Sequence, residues 1–95
     1  MKQEELDRVL QQHQLWLESG GVKGERADLR HADLQGADLR DADLWGADLR
    51  HAKIDTNIRG CYNFCNAKFT TAALPWLILH PNWLKFKDTV QIFPD

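Results

Sequence analysis

Ninety-five residues suffice for one domain, near the size at which a single core is only just enough. A net charge of -2 is too small to point to nucleic acid or an anionic membrane as partner. The polar, acidic start from Met1 to Asp7 excludes a secretory signal peptide, and the longest apolar run, 72–79, contains Pro75 and is too short to span a bilayer. Two cysteines, Cys61 and Cys65, in a chain without such a signal predict reduced thiols and a cytoplasmic location.

From the N-terminus, residues 2–18 place Leu6, Val9, Leu10, His13, Trp16 and Leu17 at helical spacing among polar neighbours. This predicts an amphipathic helix ended by Gly20-Gly21, and residues 1–21 are assigned as an N-terminal capping helix. His13 is expected on its inner edge with no chemistry attached.

Residues 22–73 repeat themselves every five positions. Alanine stands at 27, 32, 37, 42, 47 and 52, and two positions later come Leu29, Leu34, Leu39, Leu44, Leu49 and Ile54. Phe64, Phe69 and Leu74 resume the same phase after a disturbed stretch. A period of five fits neither a helix nor a long strand, so the chain must turn a corner in each repeat to keep alanine and leucine inward. Gly36 and Gly46 sit where such a corner needs unusual backbone angles. Strict phase fails at 57–61, where a shifted frame puts Thr56 and Ile58 inward; a bulge or distorted corner is expected there.

The six near-perfect copies over 27–56, with weaker ones at 22–26 and 62–76, resemble the pentapeptide-repeat family, whose signature is A-(D/N)-L-X-X in tandem. The resemblance implies an all-β solenoid: a short right-handed, four-sided β-helix with four repeats per coil, here about two and a half coils. The identical A-D-L-R-H segments at 27–31 and 47–51 would then stack on one face about 4.8 Å apart. Both open ends of such a stack need covers.

The tail, 74–95, is rich in large apolar groups punctuated by Pro75 and Pro81, and is assigned as a C-terminal cap and dimerisation segment. Its apolar surface exceeds what one coil end needs, which predicts a homodimer with Trp76, Leu79, Trp83 and Phe86 at the contact. The resemblance points the same way, since family members commonly dimerise through their C-terminal ends. The rival is a monomer whose tail wraps back along the coil.

Several outward positions are candidates for a partner surface. Arg30 with Arg50 and His31 with His51 should stack in pairs, with Asp28 and Asp48 nearby. Two such histidines could share a metal with Asp28 or Asp48 nearby, but exposed stacked histidines are usually only stacked, so no metal and no cofactor are expected. Cys61 and Cys65 have no second cysteine or histidine pair for structural zinc and are expected as half-buried thiols. Trp45 replaces the Arg or Gln of its equivalents, and is either an interface anchor or covered by a flank. No catalytic constellation emerges, so an enzyme is not expected.

The expected function is that of a non-catalytic protein-binding module acting through a rigid surface. Two alternatives stay open. The resemblance suggests inhibition of a nucleic-acid enzyme by partial DNA mimicry, the targets being gyrase-like topoisomerases or a phage-defence nuclease such as a CRISPR effector. Residues 22–71 hold eight acids and eight bases, however, and a neutral prism is a poor imitation of a duplex. The other alternative is a structural self-assembling unit.

Overall fold

The computed structural model describes residues 1–95. Helix α1 spans Gln3–Glu18 and ends where Gly20 and Gly21 take positive φ. Its inner stripe is the expected one, with Leu6 and His13 fully buried and Val9 and Leu10 packed against the core. No helix is long and apolar enough to cross a membrane.

The repeat segment returns upon itself every twenty residues. Asp28 pairs in parallel with Asp48, Asp33 with Lys53, Asp43 with Asn63, and Asp48 in turn with Lys68. Each pairing follows the parallel ladder: Asp48 N–H donates to Ala27 O at 3.0 Å, and Leu29 N–H donates to Asp48 O at 2.8 Å. Between returns the chain bends at 31, 36, 41, 46 and 51, and again at 66, each with φ between 60° and 73°. At every one of these bends the following alanine or its equivalent donates back three residues, as Ala32 N–H does to Leu29 O at 3.1 Å. Positive φ at the third residue alone marks a type II turn. Gly36 and Gly46 supply it freely, while His31, Asp41, His51 and Asn66 adopt it against the steric cost of a Cβ.

The inward set is as the spacing predicts. Leu29, Leu34, Leu39, Leu44, Leu49, Ile54, Phe64 and Phe69 are all at most 3% exposed. The aspartates between them have a role that the pattern did not reveal. Asp28, Asp33, Asp38, Asp43 and Asp48 each accept, through Oδ1, the N–H two residues on, and Asn63 does the same for Cys65. These side-chain turns fix the approach to each corner.

Three expectations need correction. The disturbed stretch is neither a bulge nor a corner but a 3-10 helix, Thr56–Gly60. Ile58 is buried as expected, yet Thr56 is exposed, because Asp55 accepts the Asn57 N–H and starts the turn there. Asn57 then donates to the carbonyls of Leu34 and Ala37 at 2.9 and 2.6 Å, in place of a strand. The outermost frames, 22–26 and 72–76, do not continue the inner set. Val22 is 83% exposed, and Ala73 rather than Ala72 is buried, because the chain leaves the repeat through a 3-10 turn at Thr71–Ala73. Finally, the chain is not all-β: 34% of it is helical, and its one sheet has two strands.

That sheet pairs β1 (Lys68–Thr70) in parallel with β2 (Gln91–Phe93). Between them lie two single-turn helices, α2 (Leu74–Leu77) and α3 (Trp83–Phe86). Leu77 and Phe86 close the core from this end, Phe86 meeting Phe64 edge-on at 4.6 Å between ring centroids. His80 is buried among these rings, donates from Nε2 to Cys61 O at 2.7 Å, and accepts the Asn82 N–H on Nδ1.

At the other end α1 satisfies exposed backbone with side chains. Gln3 accepts the Asp38 N–H at 2.8 Å and donates to the Asp38 carbonyl at 3.1 Å, as a neighbouring strand would. Ala27 N–H donates to His13 Nδ1 at 2.9 Å. An open strand edge is thereby blunted.

Candidate functional site

The candidate partner residues fall mainly on one side, formed by residues 27–31, 47–51 and β1 with β2 above it. The twenty-residue return puts Asp28 beneath Asp48 and brings their arginines into one ladder. Arg30 clamps Asp28 through two bonds of 2.9 Å, and Arg50 clamps Asp48 at 2.9 and 2.7 Å. Arg30 also lies 3.9 Å from Asp48, and Arg50 sits over the Phe93 ring at 5.3 Å. The Arg30 side chain holds the Asp28 carboxyl down at about 2. Burial pushes Asp48 upward, but the hydrogen bonds and charge of Arg50 outweigh it and leave that carboxyl below its ordinary value.

At the corner after this side, His31 and His51 stack with centroids 4.9 Å apart and planes 6° from parallel. His51 N–H donates to the buried Thr70 hydroxyl. No third histidine, cysteine or carboxylate completes a metal-binding group with them.

Trp45 stands at the corner before this side, so it is not brought together with the histidines. Its ring lies 6.4 Å from Trp16 of α1, which in turn stacks on His13. The flank that reaches Trp45 is thus the N-terminal helix and not the tail, and it leaves Trp45 39% exposed.

The C-terminal candidates divide. Phe86 is 2% exposed within its own chain, so it cannot be a contact between copies; its ring is needed to close the core over Phe64 and His80. Trp76 and Trp83 are half-buried against the same core. Leu79 is 48% exposed, and Ile78 and Leu84, which the sequence did not single out, are 54% and 79% exposed.

Cys61 is buried and Cys65 half-buried, both free. The Cys61 thiol donates to the Ala42 carbonyl, and burial pushes it up to about 12, far from a reactive thiolate.

The residues that carry the repeat also match a family model. Residues 25–55 match the model described as Pentapeptide repeats (8 copies), which leaves α1 and the C-terminal part outside the match. No curated protein and no solved structure matches the chain. Residues 25–55, though not the chain as a whole, are therefore similar to the pentapeptide-repeat family.

Proposed function

We propose that the protein is a non-catalytic binding module that presents the Asp28–Arg30–Asp48–Arg50 side, with the His31–His51 stack at its edge, to a protein partner. Pairings twenty residues apart, with a positive-φ corner every five, support a short right-handed, four-sided β-helix as its framework, capped by 1–21 and 74–95 around the repeat unit 22–73. The observation that carries the functional reading is the ladder itself. Four charged side chains are tied to each other and to the backbone, and two imidazoles are held parallel in a stack. A surface fixed in this way loses little side-chain freedom on binding.

The same pairing weighs against imitation of a nucleic-acid duplex, because Asp28, Asp38 and Asp48 are each neutralised by an arginine two residues on. A second copy of the chain, joined through Ile78, Leu79 and Leu84 with Trp83 beside them, belongs to the proposal, as does a cytoplasmic site for a protein with two free thiols.

The test is capture of partners from the native host by the tagged protein, compared with an Arg30→Ala/His51→Ala variant whose fold is checked by circular dichroism. Both side chains are outward, and Arg30 leaves only the exposed Asp28 unpaired. A partner retained by the parent and lost by the variant supports the assignment. Equal capture by both moves the binding surface elsewhere.

A further inference from the structure

The fold completes a third layer on one side and leaves it open on the next. Above residues 47–51 lies β1, which takes the Ala47 carbonyl through Lys68 N–H and the Leu49 N–H through its carbonyl. Above β1 lies β2, with Gln91 N–H donating to Ala67 O at 2.9 Å. The segment Gln91–Phe93 has none of the repeat signature, so an extended stretch of unrelated sequence serves as a rung.

On the adjoining side, Lys53 spends its own N–H and C=O on the layer below, bonding Ala32 O and Leu34 N–H. The groups that would meet a rung above are the Ala52 carbonyl and the Ile54 N–H. Neither has a hydrogen-bond partner within the chain, because the 3-10 turn at Thr71–Ala73 carries the backbone away into α2. Both residues line a groove of about 350 Å³ together with Lys53, Ala72, Ala73, Trp76 and Asp95, whose carboxylate already accepts from the Thr71 hydroxyl. In the groove Lys53 is exposed and takes part in no ion pair, although Asp33 is its partner in the rung below.

We propose that this open edge receives an extended segment of a partner protein as a parallel strand above Lys53, with the sequence small residue, acidic residue, apolar residue. The proposal rests on the reading of the protein as a binding module and narrows it to a class of partner. Main-chain pairing supplies a donor for Ala52 O and an acceptor for Ile54 N–H, the arrangement by which sheet edges take up peptides. Parallel register sets like over like, so a small residue lies over Ala52 and an apolar one over Ile54, on the inward face of the strand. The central acidic side chain then stands beside Lys53, the opposite-charge pairing favoured across strands.

The probe is the acetylated, amidated peptide TADLT, titrated into the full ¹⁵N-labelled chain. Saturable shifts at Lys53, Ile54 and the Trp76 indole are expected, with slowed exchange of the Ile54 amide. Methylating the nitrogen of the central residue removes the donor for Ala52 O and should weaken binding by about tenfold. Lys53→Glu, an exposed substitution, should weaken TADLT and favour TAKLT. The inference is overturned if TADLT gives no saturable shift up to its solubility limit, if the methylated peptide binds as well, or if Lys53→Glu leaves the preference for TADLT unchanged. Partner capture that depends on Arg30 and His51 but persists when TADLT leaves Ile54 unshifted overturns this inference alone and leaves the binding-module reading standing.

Discussion

Replacing Leu39 by alanine removes a side chain that is 1% exposed, on the side of the first layer that has a 3-10 helix rather than a strand above it. Three methylene equivalents at about 0.8 kcal/mol each set a transfer cost of about 2.4 kcal/mol. The cavity adds to this where the surroundings fail to collapse, bringing the loss to about 3–5 kcal/mol. Ile58, fully buried across the gap, is held by a 3-10 helix whose N-terminus Asp55 caps and whose Asn57 is bonded to the carbonyls of Leu34 and Ala37, so collapse is restricted. For a domain of this size such a loss lowers the melting temperature by about 15 °C or more. Urea unfolding followed by tryptophan fluorescence, with thermal circular dichroism, measures it. Arg40→Ala is the control, because its guanidinium pairs with Asp38 at the surface and no shift in midpoint beyond error is expected. Equal losses at both positions, or a Leu39→Ala loss below about 1 kcal/mol, would refute the inward assignment and the rigid gap behind it.

Three further outcomes follow from the same structure. At the corners, His51→Gly and Asn66→Gly should stabilise by up to about 1 kcal/mol each, while Gly36→Ala, whose Cβ would meet nothing within 4 Å, should destabilise through its φ of 73° alone; denaturant midpoints decide. His13 accepts the Ala27 N–H on Nδ1, and burial, its largest influence, lowers its affinity for a proton. The folded state thus binds that proton less readily than the unfolded chain, so stability is complete above the ordinary histidine value near 6.5 and falls as pH drops below it. His13→Asn, which keeps an acceptor for Ala27, should flatten that part of the pH–stability curve; an unchanged slope would show that another group titrates. Light scattering should give about twice the chain mass of 11.0 kDa, with Leu79→Ser/Leu84→Ser shifting it toward monomer, whereas Phe86→Ala should lower stability instead; a mass of one chain for the parent rejects the contact.

The inner columns were legible because each five-residue unit repeats the same local problem, and alanine and leucine two apart have one solution. The corners were half legible. Glycine at 36 and 46 announced them, but His31, Asp41, His51 and Asn66 adopt the same φ with no sign in their composition beyond the tolerance of Asn, Asp and His for it. The aspartate column was visible as a charge pattern and misleading as one, since each carboxylate serves the backbone two residues on. Asn57 and Asp55 sit two apart, which is itself a signal for a side-chain turn, masked here by the five-residue period on either side. Beyond residue 71 no period remains, and Ala72, Ala73 and Leu74 offered two phases of which spacing favoured the wrong one. His80, Gln3 and Phe86 matter through contacts with residues far away in the chain, which no local pattern encodes.

The stacking of residues twenty apart underlies the ladder, the stacked histidines and the open edge alike, and scalar couplings across hydrogen bonds test it directly. In a long-range HNCO spectrum, the amide nitrogens of Leu29, Leu34, Leu44 and Leu49 should correlate with the carbonyl carbons of Asp48, Lys53, Asn63 and Lys68. Correlations from these amides to carbonyls four residues earlier, or fast exchange with no correlation at all, would contradict the winding on which every functional statement depends.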